Sequence, residues 1–490
     1  MDYKKLGFKA GLEIHQQLDS NRKLFSDAPN FLRSDKPDFI VKRKLHAVAG
    51  EEGKIDVAVQ HESSLKKEFV YEGYHDTTSL VELDEEPPHT ISEEALNICL
   101  QITLLLNCTI YPVSQVMRKT VIDGSNTSGF QRTVLIAHSG FIETGFGKVG
   151  IESIALEEDA ARIIKRGKEK DVYRLDRLGI PLIEITTSPD MKNPEQIKEA
   201  ALKIGEILRA CKVKRGIGTI RQDVNVSIRG HDRVEIKGFQ DPKMMVKTVD
   251  LEIERQQKEI KKGETIGCVR NALSSGESEF LRPLPGKARM YPETDLDLLR
   301  IGKARLDKVS KNLPKLRSDI KQELKKTGLT DEMVNLILAD NRYVDEFLAL
   351  IKVYGKDANL IARMIVLWRK EFSTKYKKPI EEIKEDLSEA ILEKILERVD
   401  SGEIDGRDAK EVMEKIIQGK NFDEVIKIEK ANDDDLEKEI RKIIKDKPGL
   451  RENAYMGLVM KRFKGKVDAK KAMEIIQRVL GGFPYGYSKL

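Results

Sequence analysis

The chain has 490 residues and a mass of 55.7 kDa, room for about three domains. Its 87 Lys and Arg nearly balance 82 Asp and Glu, leaving a net charge of +5, and 40% of the residues are hydrophobic. No apolar run approaches the ~18 residues of a membrane-spanning helix, and the four cysteines (Cys99, Cys108, Cys211, Cys268) form no C-x-x-C pair, which argues against a membrane protein, a disulfide scaffold or a cysteine-held zinc site and for a reducing, cytoplasmic setting. The charged stretch Met1–Ala10 lacks a signal-peptide core. Ser488-Lys489-Leu490 matches a peroxisomal address, but three residues recur by chance.

Along the chain, Phe8–Leu18 alternates apolar Phe8, Ala10, Leu12 and Ile14 with Lys9, Gly11, Glu13 and His15. Such a strand projects a carboxylate and an imidazole from its polar face. Ser92 precedes a helix over Glu93–Leu106 that is apolar nearly all round and therefore buried. Between Met117 and Arg132 lies a Gly/Ser/Thr/Asn loop, bracketed by Arg118-Lys119 and Gln131-Arg132. Its backbone N–H groups and the Ser125 and Thr127 hydroxyls suit a phosphate cradle, although the spacing is not that of a Walker loop.

A strand at Phe146–Leu156 runs into three acids, Glu157, Glu158 and Asp159. The next, Pro181–Thr187, is apolar except for Glu184, whose carboxylate is costly there unless a cation, a metal or hydrogen bonds compensate it. Asn193-Pro194 opens a helix with Ile197, Ala201, Ile204, Leu208 and Cys211 on one face, which makes Cys211 core filler. In Gly218–Arg229, Val224, Val226 and Ile228 oppose Arg221, Asp223, Asn225 and Ser227. In Arg233–Gly238, Glu235 and Lys237 oppose Val234 and Ile236. Asp241-Pro242 begins a long charged helix ending near Lys262, and glycine and proline then cluster up to Pro292, a boundary or insertion point.

Beyond residue 300 the text is helical, with amphipathic segments at Asp331–Leu338, Asp345–Tyr354 and Asn359–Phe372 and a hinge at Ser401–Gly406. The fold class expected is α+β: a β-rich cradle over 1–299, a helical domain over 300–405 and a helical tail over 406–490. All seven histidines (His15, His46, His61, His75, His89, His138, His231) precede residue 232, so the chemistry is expected in the first domain. Any one polar-faced strand reads as a solvated outer face. Four of them, rich in acids, Asn, Arg and Lys, point instead to an inward-facing polar cavity. Its oxygen donors suit Mg²⁺, and an imidazole among them is better tolerated by Mn²⁺. Residues 441–490 hold 13 Lys and Arg against 4 Asp and Glu, a local +9 that includes Lys461-Arg462-Phe463-Lys464-Gly465-Lys466. This is an electrostatic footprint for a nucleic-acid backbone, and a solvated basic face has the same composition.

Five motifs occur in order: Gly11-Leu12-Glu13-Ile14-His15, Leu156-Glu157-Glu158-Asp159-Ala160, Gly179-Ile180-Pro181-Leu182-Ile183-Glu184-Ile185, Arg221-Gln222-Asp223-Val224-Asn225-Val226-Ser227 and Tyr291-Pro292-Glu293-Thr294-Asp295-Leu296. Together they resemble the kinase/transamidase component of the tRNA-dependent amidotransferases, the B/E family. Glu82–His89, Val121–Arg132 and Lys214–Thr219 are similar to the archaeal E type, and Met456–Asp468 resembles the YqeY-like tail of both types. The resemblance implies ATP-dependent phosphorylation of glutamate mischarged onto tRNA(Gln), then amidation with ammonia from an asparaginase-like D-type partner. It places the metal on His15, Glu157 and Glu184, and it puts Glu13 and Asp223 on the ammonia path. Arg118 and Lys119 would face phosphate, with Gln131, Arg132, Arg221 and Lys237 as nucleotide or substrate contacts, and the basic tail would grip tRNA. A B-type member of an A/B/C complex, acting also on Asp-tRNA(Asn), and a catalytically inactive tRNA-binding relative are the alternatives. The chain departs from the E type in lacking its aspartyl-tRNA-synthetase-like insertion, since only Gly263–Glu279 separates the long helix from Phe280.

Overall fold

The computed structural model describes residues 1–45, 67–239, 242–284, 290–422, 425, 433–463 and 469–481. His46, His61, Lys464, Lys466 and Ser488–Leu490 lie outside them. The chain forms two compact units, Met1–Arg317 and Ser318–Leu490.

The first unit is built on strands. They are β1 (Lys9–Gln17), β2 (Phe39–Arg43), β3 (Glu68–Gly73), β4 (Thr109–Ile110), β5 (Val113–Ser114) and β6 (Val116–Thr120). Next come β7 (Phe130–Thr144), β8 (Gly147–Glu158), β9 (Arg162–Lys165), β10 (Lys170–Arg174), β11 (Pro181–Thr187) and β12 (Ile220–Ser227). The last are β13 (Val234–Phe239), β14 (Cys268–Ala272), β15 (Ser278–Pro283), β16 (Met290–Pro292) and β17 (Leu299–Arg300). Eleven of them make one sheet in the order β15-β14-β13-β12-β1-β11-β8-β7-β6-β16, with β4 on β7. Every pair in it is antiparallel except β13–β14.

The alternation read from the sequence explains which way this sheet faces. Leu12, Ile14, Val134, Leu156, Ile183, Ile185, Val224 and Val226 enter one core with residues of the helices Glu93–Leu105, Pro194–Ala210 and Pro242–Lys262. Burial of each such side chain is worth about 1.5–3 kcal/mol, and that holds the sheet's other face free for polar groups. Both expected caps form: the Ser92 side chain accepts from the Ala95 N–H, and Asn193 accepts from the Gln196 N–H with Pro194 in the first turn. Cys211 caps the second of these helices at its C-terminus and is buried in the core.

A second sheet, β2-β3-β10-β9, props up the 121–129 loop. Its Tyr71 and Tyr173 hydroxyls each donate at 2.8 Å to the Gly124 and Asp123 carbonyls. Sequence reading did not find these strands.

The second unit is helical and holds two cores. One runs from Leu324 to Val425, and the other joins the helices Asp433–Asp446, Glu452–Phe463 and Ala469–Gly481. The expected division at 405/406 differs from this arrangement. Ile404, Ala409, Val412, Met413 and Ile417 all sit in the first core, so the chain changes core only between Val425 and Leu436. Ile301 and Val309 belong to the sheet's core, which carries the first unit past 299. The helix expected at Asp345–Tyr354 begins at Asn341, where Asp340 accepts from the Arg342 N–H. The one expected at Asn359–Phe372 contains a π turn over Arg363–Trp368. No helix among the described residues is long and apolar enough to cross a membrane.

Candidate functional site

Strand register alone gathers the polar residues. Glu13 lies opposite both Asp223 on β12 and Thr186 on β11, and His15 lies opposite Arg221 and Glu184. Leu182, two residues before Glu184, pairs with Glu157 on β8, which pairs with Thr133 on β7. Gln131 and Lys119 are partners across β7 and β6. Residues paired across a sheet share a face, as do residues two apart. One face of the sheet therefore presents Lys237, Asp223, Arg221, Glu13, His15, Glu184, Glu157, Gln131 and Lys119. They line a cavity of about 420 Å³.

A bulge aims one of them. Between Gln222 and Val224 on β12 the register shifts, so that Lys237 and Gly238 on β13 stand against the single residue Asp223. Gly238 takes φ +92°, a backbone conformation suited to glycine. Its N–H then donates to Asp223 Oδ1 at 3.2 Å, while Lys237 Nζ reaches Asp223 Oδ2 at 2.6 Å and also pairs with Glu235.

At the centre, His15 Nε2 is 3.2 Å from Glu184 Oε2 and 3.6 Å from oxygens of both Glu157 and Glu13. Burial disfavours the imidazolium, but the hydrogen bond and charge of Glu184, aided by Glu157 and Glu13, raise its pKa to about 9. Burial, and then repulsion by Glu184, pushes the Glu13 carboxyl up to about 6. Glu184 moves the other way. Burial opposes its charge, yet Lys119 and His15 hold it well below the usual carboxylate range. This answers the energetic problem posed by a carboxylate inside an apolar strand: Glu184 faces an imidazole and, at 3.6 Å, an ammonium. Lys119 Nζ is also 2.9 Å from Glu157 Oε2.

Donor atoms of His15, Glu157 and Glu184 lie within 4.8 Å of one another, as do those of Glu13, His15 and Asp223. The first set, two carboxylates and an imidazole beside the single Lys119 ammonium, keeps a net negative charge when the imidazole is neutral and has the chemistry to hold one divalent ion. In the second, Asp223 is bound by Lys237 at 2.6 Å.

Four sequence candidates do not line the cavity, for two reasons. Arg118 and Arg132 are one residue out of phase with Lys119 and Gln131, so they point to the sheet's opposite side, where both are paired with Glu293. The Ser125 hydroxyl donates to Asp123 and the Thr127 hydroxyl to the Glu82 carbonyl, which ties the loop to itself and its neighbours. The loop's contribution to the cavity is Val121, Ile122 and Asp123 instead.

Lining residues outside the candidate set include Asp159, Leu281 and Arg282. Asp159 is buried and accepts from Gln17 Nε2 at 2.6 Å and from Arg221 Nη2 at 2.8 Å, which fixes the guanidinium at the rim. Its place directly after Glu157-Glu158 was the signal available. Leu281 and Arg282 come from β15, in a stretch whose glycines and prolines hid the strand.

Residues 8–307 match the family profile described as the GatB/GatE catalytic domain, and 345–480 match the one described as the GatB domain. The second match spans both the boundary expected at 405/406 and the change of core between Val425 and Leu436. A protein of Methanocaldococcus jannaschii described as the E-type subunit of glutamyl-tRNA(Gln) amidotransferase is 35% identical, over 98% of this chain and 99% of its own length. The E-type protein of Methanothermobacter thermautotrophicus is 35% identical over 76% of this chain and 81% of its own. That of Thermococcus sibiricus is 55% identical over 52% of this chain and 40% of its own. The first alignment runs over 640 positions against 490 residues here, so that relative carries a long stretch with no counterpart in this chain.

Proposed function

This chain belongs to the GatB/GatE family, in its archaeal E-type branch, and from that membership we propose that it converts glutamate carried on tRNA(Gln) to glutamine. The γ-carboxylate oxygen attacks the γ-phosphorus of ATP, ADP leaves, and ammonia then displaces phosphate from the acyl phosphate. Ammonia comes from an asparaginase-like D-type partner. The observation that carries the reading is the convergence of His15, Glu157, Glu184, Glu13 and Lys119 on one face of one cavity.

His15, Glu157 and Glu184 would hold Mg²⁺ or Mn²⁺, which when bound offsets charge on phosphate oxygens. Lys119 and Arg221 bring fixed positive charge to the same cavity, where charge develops on the transferring phosphoryl group and on the acyl oxygen. Gln131 is held by donating to the Glu158 carbonyl at 2.7 Å and orients polar substrate groups. Glu13, with its pKa of about 6, exchanges protons near neutrality and accepts one from ammonium or from the attacking ammonia. Asp223 and Lys237 continue the polar path beside it.

Ammonium chloride can replace the partner in the test. The purified chain with Glu-tRNA(Gln), ATP, Mg²⁺ and ammonium should yield Gln-tRNA(Gln), read by deacylation and amino-acid analysis. ADP release without amide formation, or no turnover at all, would contradict the proposal.

A further inference from the structure

Behind the cavity, on the sheet's opposite side, lies a second buried set of charges. Arg118 and Arg132 are register partners directly across β6 and β7, a placement in which like charges repel. The Glu293 carboxylate, fully buried, sits between them. Its Oε2 accepts from Arg118 Nε at 2.8 Å and Arg132 Nε at 2.9 Å. Its Oε1 accepts from Arg118 Nη2 at 2.6 Å and from the Asp295 N–H at 3.0 Å. Four donors fill the acceptor sites of one carboxylate. Both guanidiniums also lie over the Phe130 ring, at 4.6 and 5.2 Å. Arg132 goes on to Glu158 through its N–H at 3.2 Å and Nη1 at 3.5 Å.

The two charge sets are joined through the backbone. Arg118, Arg132 and Glu158 are chain neighbours of Lys119, Gln131 and Glu157, and each pair straddles the sheet. We infer that Glu293 is a positioning residue, which by bridging the facing Arg118 and Arg132 with one carboxylate, beside Asp295 on Arg118 and Glu158 on Arg132, fixes the β6–β7 register that aims Lys119 at Glu157 and Glu184. Glu293→Gln keeps the shape but turns one acceptor into an N–H₂ group facing guanidinium donors. The two arginines then part, and Lys119 loses its aim through Arg118, whose partner Glu293 is 175 residues away in the chain.

Trace acetylation of lysines in the full metal-free chain, read by mass spectrometry, tests this. In Glu293→Gln, Lys119 labelling should rise on the order of fivefold or more, while Lys237, held on β13 by Asp223 and Glu235, keeps its wild-type rate. In Arg118→Gln/Glu293→Gln, where Arg132 remains paired with Glu158, Lys119 should return to the wild-type rate. Unchanged Lys119 labelling in the single variant, or an equal rise at Lys237, would overturn the inference. If the single variant does not fold, the double variant decides: wild-type labelling supports the inference and raised labelling overturns it. The expected fall in kcat without a change in KM rests on the proposed function; the labelling does not, so a chain without amidation activity still answers the question.

Discussion

His15 has three carboxylates within 3.6 Å of its Nε2, and its protonation decides what else can bind there. Its raised pKa makes the metal-free site a proton site below about pH 9. A metal needs the neutral imidazole, so the proton competes with the ion. Mn²⁺ affinity should therefore climb with pH, by up to about tenfold per unit, and level off above about 9. Titration calorimetry in buffers of different ionisation enthalpy should show a proton released on binding, and pH-independent binding would contradict the pairing. The same shift has a stability sign. A folded-state pKa above the ordinary ~6.5 stabilises the metal-free protein fully below pH ~6.5, and this contribution disappears as pH rises through about 9. Glu184→Gln removes the hydrogen-bonded acid, so the His15 resonances in NMR should titrate below the wild-type value. These residues were legible because two-residue alternation puts Glu13 with His15 and sets Glu184 alone among apolar neighbours. Arg118 and Arg132 were misread because type and proximity outweighed parity: each lies one residue from a lining position. Ser125 and Thr127 were misread because hydroxyls in a loop bond locally as readily as to a ligand.

At the level of elements, alternation located β1, β8, β11, β12 and β13 to within about two residues at most of their ends, because each has a face buried against helices. It failed for β14 and β15, short strands among glycines and prolines, and with them went Leu281 and Arg282. The β12–β13 bulge was also invisible, since a register shift is a property of two strands and not of one. That bulge can be tested through Gly238, which has φ +92° and Asn271 Oδ1 only 3.2 Å from where a Cβ would stand. Gly238→Ala should cost about 1–2 kcal/mol, seen as a lower midpoint in urea. It should also weaken the Lys237–Asp223 pair, so the thermal transition becomes less sensitive to salt than in the wild type. An unchanged midpoint would mean that β13 can relax without the bulge.

Over the whole molecule, the small net charge conceals separate assignments: an acid-lined cavity in one unit and a basic C-terminal stretch in the other. The stretch is less bare than its composition suggests, because Arg441, Arg462 and Arg478 pair with Glu437 or Glu439 on the acidic start of the helix Asp433–Asp446. Where to remove it follows from the cores. A chain ending at Gly406 discards Val412, Met413 and Ile417, each worth about 1.5–3 kcal/mol of burial, and its helical unit should melt early. A chain ending at residue 432 keeps that core and should melt like the full chain. The shorter tail should still bind Glu-tRNA(Gln) more weakly and with a shallower salt dependence, and unchanged affinity would remove the tail from recognition. The shared core shows why a composition shift at the Ser401–Gly406 hinge does not coincide with a change of core: helices on both sides of it pack into the same apolar cluster.

In the proposed function, one cavity activates the glutamyl carboxylate with phosphate. Glu-tRNA(Gln) carrying ¹⁸O in both γ-carboxylate oxygens, incubated with the full chain, ATP, Mg²⁺ and ammonium, tests this by mass spectrometry of the phosphate released. One ¹⁸O should appear in the phosphate for each Gln-tRNA(Gln) formed, and neither product with Glu184→Ala. Glutamine formed without label in phosphate, or Glu184→Ala working at full rate, would contradict it.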